Sequence, residues 1–201
     1  VLRRETQAEQ TQTEQMIRRA FWNKYKPGCD EHYLVHLLRE DPAFLPAFSR
    51  VAVSDGSVIG CIFYSAARIC DGMREYPILT FGPLCVDPDW QDCGVGRRLL
   101  TETMRLAAEA GWPGIVIFGE PAYYHRFGFS SCEHFGITTA DGKNPEAFMA
   151  VELIPNGLKD LHGAFHEAPV FQRLSPQAVA EFDRRFPGLT KQQFPGQLFP
   201  G

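Results

Sequence analysis

The chain has 201 residues, a length that suits one domain with a sizeable hydrophobic core better than two full domains. Its formal net charge is −4, which argues against a nucleic-acid-binding protein that works through bulk positive charge. No apolar run approaches the length of a membrane span, and no basic start followed by an apolar stretch indicates a signal peptide.

The first part of the chain predicts one short strand and two helices. Residues 2–5 have a strand-like sequence, and apolar side chains at helical spacing predict a helix over residues 9–21. A second helix is expected to begin after Asp30, whose side chain can cap its first turn. That helix should end at Leu38, ahead of Asp41-Pro42.

An antiparallel hairpin is expected next. Residues 48–53 and 57–65 are strand-like, and Asp55-Gly56 between two apolar runs is a strong turn signal. A continuation and turn at residues 66–75 then leads into a further strand over residues 76–86.

A glycine-rich segment, Gln91-Asp92-Cys93-Gly94-Val95-Gly96, joins this strand to an amphipathic helix. Glycines permit a tight turn and leave backbone N–H groups unblocked, and the helix points its positive end at the loop. The order of strand, glycine loop and helix therefore predicts a phosphate or pyrophosphate site. A nucleotide-hydrolase loop would need Gly-Lys-Ser/Thr, and a dinucleotide fingerprint would need Gly or Ala where Leu99 stands, so neither pattern is present.

The segment after the helix predicts a buried strand. The amphipathic helix should end at Gly111, and the apolar run at residues 114–119 suits a buried strand. In the residues that follow, Tyr124 stands four residues before Gly128.

The last part of the chain predicts one more strand of the sheet, followed by a helix and an extended tail. Residues 147–153 predict a strand, and residues 175–182 predict a helix with proline at its first position. We divide the chain into a domain over residues 1–170 and a C-terminal extension over residues 171–201. The extension is apolar for a free tail, so we expect it to pack on the domain or on a partner subunit, as in a homodimer; its apolar residues include Phe186, Phe194, Leu198 and Phe199.

The six cysteines are scattered without Cys-x-x-Cys spacing, so a cytoplasmic protein with reduced thiols and no metal site is expected. Cys61 and Cys85 lie in predicted strands and should be small core residues. Pairs of basic residues are expected on solvated faces, except Arg97 and Arg98, which follow the glycine loop; the other pairs are Arg18-Arg19 and Arg184-Arg185.

The loop at residues 91–96 resembles the pyrophosphate loop of the GCN5-related N-acetyltransferases (GNAT superfamily), usually Arg/Gln-x-x-Gly-x-Gly/Ala. The flanking strand and helix are similar to that family's, and residues 121–129 resemble its short helix that ends in Tyr-x-x-x-Gly-Phe. The segment Gly119-Glu120-Pro121-Ala122-Tyr123-Tyr124 resembles a bacterial-type subgroup. The resemblance implies an α/β (α+β) fold with a central mixed, twisted sheet of about six to seven strands and flanking helices.

The resemblance also implies an enzyme, an N-acetyltransferase that moves an acetyl group from acetyl-CoA directly to a primary amine of a small molecule or protein. The alternative is a non-catalytic acyl-CoA-binding or sensor module on the same fold. In the enzyme, strand backbone would bind the pantetheine arm, a backbone N–H near Cys85 would polarise the thioester carbonyl, and loop N–H groups would hold the pyrophosphate. The coenzyme-binding residues implied are Leu84, Cys85, Val86, Gln91, Asp92, Cys93, Gly94, Val95, Gly96 and Arg97.

Two residues are the catalytic candidates that the resemblance implies. Tyr124 stands where the family has its general acid, and a phenol with a pKa of about 10 suits protonation of a departing thiolate. The alternative for Tyr124, as for Tyr123, is a packing role. Glu120 is the side-chain candidate for the general base, with ordered water as the alternative.

Three further groups are candidate bases, although residues of these types are more often solvated surface residues. Asp71 and Glu75 precede the strand that leads to the loop, and His125 is a histidine, the side-chain type most often used as a base near neutral pH. The sequence contains no recognisable pattern that identifies the acceptor. The resemblance implies an acceptor side built partly from the first two helices, where Asp30, Glu31 and Glu40 could attract a cationic amine.

Overall fold

A computed structural model describes residues 1–197 of the chain; the tail residues Leu198 and Phe199 lie outside the described residues. The α-helices are α1 (Gln10–Phe21), α2 (Glu31–Leu38), α3 (Val95–Glu109), α4 (Pro121–Tyr124) and α5 (Pro176–Asp183). The strands are β1 (Leu2–Arg3), β2 (Arg50–Ser54), β3 (Ser57–Asp71), β4 (Arg74–Val86), β5 (Gly114–Phe118), β6 (Ser130–Ser131), β7 (Ile137–Thr138), β8 (Phe148–Glu152) and β9 (Gly163–His166).

The strands form one mixed sheet. Its main path within residues 1–197 runs β1-β2-β3-β4-β5-β8-β6, and β9 pairs with both β3 and β7. Strands β4 and β5 are parallel, with Leu79 opposite Ile115, whereas β5 and β8 are antiparallel. This arrangement confirms the expected mixed α/β fold. The main path has seven strands, which agrees with the expected six to seven. Strand β9 was not predicted from the sequence.

The chain divides into two compact units. The first contains residues 1–63, 82–100 and the chain from 169 onward, and the second contains residues 64–81 and 101–168. The C-terminal extension therefore belongs to the first unit. The proposed boundary at residue 170 stays a prediction.

The first unit begins with the predicted hairpin. Strands β2 and β3 pair with Val51 opposite Cys61, and Asp55 and Gly56 both have positive φ (48° and 79°) in the turn that joins them. Two successive left-handed residues match the twist of antiparallel strands, which explains why Asp-Gly occurs here. Asp30 does precede α2, but its side chain makes no capping hydrogen bond and pairs with Lys26 instead.

The second unit is built on the β5–β8 pair and an apolar cluster. Ile69, Ile78, Val116 and Phe148 are fully buried in that cluster, and Phe165 on β9 joins them. A β-carbon at Gly163, which has φ of +126°, would collide with the Cys70 carbonyl group. Strand β9 can therefore pair with β3 because its first residue has no side chain.

The C-terminal extension is anchored to the helices of the first unit through Arg18. The expectation of a solvated Arg18 was wrong: it is 4% exposed, its Nε donates to Asp183 Oδ1 at 2.9 Å, and its guanidinium also donates to the Pro187 carbonyl at 2.9 Å. Trp22 Nε1 donates to the Thr190 carbonyl at 3.0 Å. A buried guanidinium requires such partners, and here the extension supplies them.

The buried His32 also contacts the C-terminal extension. His32 Nε2 lies 3.0 Å from Asp183 Oδ1, and its Nδ1 lies 3.5 Å from Cys29 Sγ. Burial lowers the pKa of His32 although Asp183 opposes the shift, and burial raises the pKa of the Cys29 thiol. A neutral imidazole that donates to Asp183 and accepts from the thiol satisfies all three groups.

All six cysteines are free thiols. Cys61 and Cys85 are buried, which confirms their assignment to the core. No helix within residues 1–197 combines the length and the apolar character needed to cross a membrane. The same described range contains no group of three or more His, Cys, Asp or Glu side chains arranged to hold a metal ion.

Candidate active site

Successive residues at the end of β4 alternate between buried and half-buried positions. Cys85 is buried, with its Sγ 3.7 Å from Cys61 Sγ and 3.9 Å from Met16 Sδ, whereas Leu84 and Val86 on either side of it are half-buried. Successive residues of a strand point to opposite faces. The Cys85 thiol therefore faces the core of the first unit and is not available for chemistry on a ligand.

An Asp-Pro turn ends the strand and is held from two sides. The Asp87 N–H donates to the Ile59 carbonyl at 2.9 Å, and one Asp87 carboxylate oxygen accepts from the Asp89 N–H at 3.0 Å. Arg19 of α1 reaches both carboxylates, at 3.2 Å for Asp87 and 3.0 Å for Asp89. Sequence reasoning missed Arg19, which fixes the turn that leads into the glycine loop.

The glycine loop has the backbone of a tight turn. Asp92 and Gly94 have φ of 60° and 78°, and a β-carbon at Gly94 would meet nothing within 4 Å. Cys93 between them is exposed. The Gln91 side chain donates to the Val86 carbonyl at 3.3 Å, so it ties the loop to the end of β4.

Helix α3 starts inside the predicted loop, at Val95. The Arg98 N–H donates to the Gly94 carbonyl at 3.1 Å, so Gly96 belongs to the first helical turn. The first N–H groups of an α-helix have no partner four residues back, and the helix dipole adds positive potential there. The expected loop of residues 91–96 is thus a turn that merges with the N-terminus of a 15-residue helix.

Close packing on β3 fixes where this helix begins. A β-carbon at Gly60 would lie 3.1 Å from the Cys85 carbonyl oxygen, 3.1 Å from Val95 Cγ1 and 3.2 Å from Leu99 Cδ1. Gly60 therefore lets the first turn of α3 and the end of β4 approach β3 closely. Sequence reasoning missed Gly60, because a glycine within a strand does not reveal which element packs on it.

The second unit holds the two catalytic candidates. Glu120 precedes α4, and its carbonyl accepts from the N–H groups of Tyr123 (3.0 Å) and Tyr124 (3.1 Å), while its side chain is exposed. Pro121 occupies the first helical position, as its fixed φ favours. A four-residue helix therefore places Tyr124 one turn after Glu120.

Tyr124 is half-buried in an aromatic cluster. Its ring centroid lies 5.9 Å from that of Phe81 and 5.5 Å from that of Phe129. A β-carbon at Gly119 would overlap the Tyr124 ring at Cε2 and Cδ2. Gly119 therefore allows the ring to lie directly over the end of β5.

Tyr123 and His125 have local contacts of their own. Burial raises the pKa of Tyr123 although Arg126, stacked 4.8 Å from its ring centroid, opposes the shift. His125 Nδ1 donates to the Phe129 carbonyl at 2.9 Å, which holds its imidazole against the turn that ends at Gly128. These contacts favour structural roles for both residues.

The other two carboxylates predicted as candidate bases, Asp71 and Glu75, each lie beside a basic side chain. Asp71 ends β3 and lies 3.1 Å from His162, and Glu75 lies at the start of β4 and pairs with Arg68 at 3.4 Å. Of the carboxylates expected to attract a cationic amine, Asp30 pairs with Lys26. Burial and then the neighbouring Asp30 raise the pKa of Glu31 to about 7.

Comparisons with known proteins agree with this arrangement. The model of the acetyltransferase (GNAT) domain matches residues 46–131, which include the glycine loop, β5 and α4. The uncharacterized N-acetyltransferase YhbS of Escherichia coli K12 is 30% identical over 139 residues, which cover 68% of this chain and 81% of YhbS.

Solved structures match over most of the chain. The crystal structure of E. coli YhbS in complex with CoA has a TM-score of 0.77 at 27% identity and covers 87% of this chain and 93% of that one. A GNAT family acetyltransferase from Brucella melitensis in complex with acetyl-CoA has a TM-score of 0.68 at 27% identity, over 85% and 97% of the two chains. The resemblance seen in the sequence is thereby confirmed, and the chain belongs to the GNAT family of N-acetyltransferases.

Proposed function

We propose that the protein transfers an acetyl group from acetyl-CoA to a primary amine. The observation that carries the proposal is the left-handed turn at Asp92 and Gly94, which leads directly into the N-terminus of α3. That turn offers backbone N–H groups and positive helix potential to a pyrophosphate. The similar proteins from E. coli and B. melitensis were crystallised with CoA and acetyl-CoA, which supports the same coenzyme here.

The residues around the turn fit a pyrophosphate. The space next to Gly94 is open, so no side chain competes with a ligand there. The proposed coenzyme contacts are the backbone of Leu84, Cys85 and Val86 for the pantetheine arm and the segment from Gln91 to Arg97 for the pyrophosphate. The Val86 carbonyl already accepts from Gln91, so we assign the arm to the remaining backbone groups of these strand residues.

The reaction needs few protein groups, because the thioester is already activated. The amine nitrogen attacks the acetyl carbonyl carbon, the C–N bond forms, and the C–S bond breaks as the electron pair leaves with sulfur. The amine loses one proton and the thiolate gains one. We assign the donated proton to the Tyr124 hydroxyl and the accepted proton to Glu120 or an ordered water.

A non-catalytic acyl-CoA sensor is the competing function. Both functions need the glycine loop, but only catalysis needs a proton donor at Tyr124. The packing of Tyr124 over Gly119 favours catalysis, since a phenol held in one orientation can serve as an acid at a fixed point. The acceptor is proposed to be an amine of a small molecule or a protein.

The proposal includes a cytoplasmic location and a contact with a partner subunit. Six free cysteines support a reducing, cytoplasmic environment. The exposed side chains of Leu189 and Phe194 in the C-terminal extension support a contact with a partner subunit, as in a homodimer. Size-exclusion chromatography of the full chain tests the second expectation; a monomer at all concentrations would contradict it.

A direct transfer assay tests the proposed function. The protein is incubated with acetyl-CoA and a panel of primary amines, and release of the CoA thiol is followed together with the mass of the acetylated product. We expect amine-dependent release of one thiol for each acetylated amine. Tight binding of acetyl-CoA without release for any amine or protein acceptor would favour the sensor instead.

A further inference from the structure

Two carboxylates stand directly before the glycine loop. The side chain of Asp87 is largely buried, at 10% exposure, whereas that of Asp89 is 75% exposed. Gln91, where the proposed pyrophosphate segment begins, follows Asp89 by two positions. Because like charges repel, this pair of carboxylates works against an anionic ligand at the loop unless a cation compensates it.

Arg19 of α1 supplies that cation and joins the two carboxylates. Its Nη1 lies 3.2 Å from Asp87 Oδ2, and its Nη2 lies 3.0 Å from Asp89 Oδ2. The other Asp87 oxygen accepts from the Asp89 N–H at 3.0 Å. One guanidinium therefore bridges both ends of the Asp-Pro-Asp turn, which its planar fork of donors suits better than a single ammonium would.

The bridged turn is continuous with the glycine loop. The Trp90 N–H donates to the Asp87 carbonyl at 2.8 Å, and the Gln91 side chain donates to the Val86 carbonyl at 3.3 Å. A rotation of the backbone at Asp87 would therefore be passed through Trp90 and Gln91 to the loop. Backbone N–H groups that are already oriented bind a ligand more tightly than groups that must first be ordered.

Helix α1 holds Arg19 in a fixed place. The preceding residue, Arg18, is buried and donates to Asp183 and to the Pro187 carbonyl of the C-terminal extension. Consecutive residues of a helix project about 100° apart, so α1 directs Arg18 to the extension and Arg19 to the turn. The bridge to Asp87 and Asp89 is thus made from an anchored helix.

We propose that Arg19 is a positioning residue for the coenzyme. By bridging Asp87 and Asp89 it orients the loop N–H groups and compensates the charge of the two carboxylates. It acts through the turn and not on the reacting atoms, so it sets the affinity for acetyl-CoA and leaves the chemical step unchanged. This inference rests on the proposed function, because it concerns binding of the same coenzyme.

Calorimetric titration with acetyl-CoA and steady-state kinetics test this role in the wild type, Arg19→Ala and Arg19→Lys. Titrations at about 0.05 M and about 0.5 M salt separate positioning from long-range attraction, because salt screens the attraction. Arg184→Ala is the matched control, since it also removes one arginine from an exposed ion pair, here with Glu181. Melting curves establish that each variant is folded at the temperature of the titration.

We expect Arg19→Ala to weaken acetyl-CoA binding about tenfold, with most of this loss retained at the higher salt concentration. The KM for acetyl-CoA should rise by a similar factor, and kcat should stay the same. Arg19→Lys keeps the charge but reaches one carboxylate at a time, so we expect a loss of about threefold. Arg184→Ala should bind acetyl-CoA as the wild type does.

Wild-type affinity in Arg19→Ala, or a loss that disappears at the higher salt concentration, would overturn the inference. Wild-type affinity in Arg19→Lys would also overturn it, because the charge alone would then be sufficient; this variant keeps the test decisive if Arg19→Ala does not fold. A lower kcat with unchanged affinity would contradict a role in binding. No binding of acetyl-CoA to the wild type would instead overturn the proposed function, and the inference with it.

Discussion

At the scale of single residues, Tyr124 has the best-defined surroundings of the catalytic candidates. Its ring is enclosed by Phe81, Phe129 and Tyr123, and it lies over a glycine that leaves room for it. Glu120, by contrast, has an exposed side chain and contributes its carbonyl to α4. The acid of the proposed reaction is therefore better positioned than the base.

Replacing Tyr124 with phenylalanine tests the acid. The ring and its packing remain, but the proton donor is lost, so we expect kcat to fall about 100-fold with unchanged acetyl-CoA affinity. Tyr123→Phe is the matched control and should retain activity. A fully active Tyr124→Phe protein would exclude Tyr124 from the mechanism.

Gly119→Ala tests how the tyrosine is positioned. The new methyl group would overlap the Tyr124 ring, so the ring must move, with an expected loss of about 1–3 kcal/mol of stability and a lower kcat. Gly188→Ala is the control, since a β-carbon there would meet nothing within 4 Å. Thermal unfolding and steady-state kinetics measure both effects; unchanged kcat in Gly119→Ala would show that the ring position is not needed.

The raised pKa of Glu31 predicts that the free energy of unfolding depends on pH. Its pKa is raised from 4.5 to about 7 in the folded state, so the folded protein binds this proton more tightly than the unfolded chain does. Its contribution to stability is therefore largest below about pH 4.5 and is lost as the pH rises towards about 7.

Glu31→Gln should accordingly raise the melting temperature at about pH 8 and have little effect at about pH 4, where the wild-type carboxyl is protonated in both states. Melting curves at the two pH values measure the difference. Glu40→Gln, on an exposed residue shortly after α2, controls for the loss of one negative charge. An equal gain at both pH values would contradict the raised pKa of Glu31.

At the scale of elements, the coenzyme end of the first unit depends on the sequence β4, turn, loop and α3. Gln91 joins the loop to Val86, Arg19 fixes the turn at Asp87, and Gly60 lets Val95 and Cys85 approach β3. These contacts set the direction in which the N-terminus of α3 points.

Gly94→Glu tests the loop. Its φ of +78° is costly for any side chain, and the added carboxylate would repel a pyrophosphate, so acetyl-CoA binding should be lost. Gly94→Ala separates the two effects, because it introduces the backbone strain without the charge. It should destabilise the loop by about 1 kcal/mol and keep measurable binding.

Local patterns explain what could be predicted from the sequence. The Asp55-Gly56 hairpin, the glycine loop and the Ser175-capped α5 each depend on residues that are neighbours in the chain. Contacts between distant residues could not be predicted in this way. The pairing of β9 with β3, the burial of Arg18 and the close packing at Gly60 depend on the tertiary arrangement.

The same distinction holds for the candidate site. The Gly-Glu-Pro-x-Tyr-Tyr segment identified Tyr124 and Glu120 because family motifs are local, and their roles stay predictions. Asp71 and Glu75 lie where β3 ends and β4 begins, as their place in the sequence implies, but the basic side chains beside them, His162 and Arg68, could not be predicted from local sequence.

At the scale of the whole molecule, residues 171–197 of the C-terminal extension are part of the first unit. Asp183 of α5 accepts from Arg18 of α1 and lies 3.0 Å from His32 of α2, so one carboxylate joins three helices. Phe182 and Phe186 bury their rings against His32. Removing the extension should therefore destabilise the helices that it covers.

Asp183→Ala measures how much the contacts between the C-terminal extension and the helices α1 and α2 contribute to stability. The substitution leaves a buried guanidinium without its carboxylate, so we expect a loss of about 3–5 kcal/mol in the free energy of unfolding. The control is Glu181→Ala, whose exposed pair with Arg184 should contribute less than about 1 kcal/mol. Equal, small effects in chemical denaturation would show that the extension is not anchored through Asp183.

The central claim is that this chain binds acetyl-CoA at the glycine loop, and calorimetric titration of the full chain tests it most directly. Acetyl-CoA and desulfo-CoA are the ligands, NAD is the control ligand, and Gly94→Glu is the control protein. We predict saturable binding of acetyl-CoA and desulfo-CoA to the wild type, no binding of NAD, and no binding to Gly94→Glu. Equal acetyl-CoA affinity in the two proteins, or no binding to the wild type, would contradict the account.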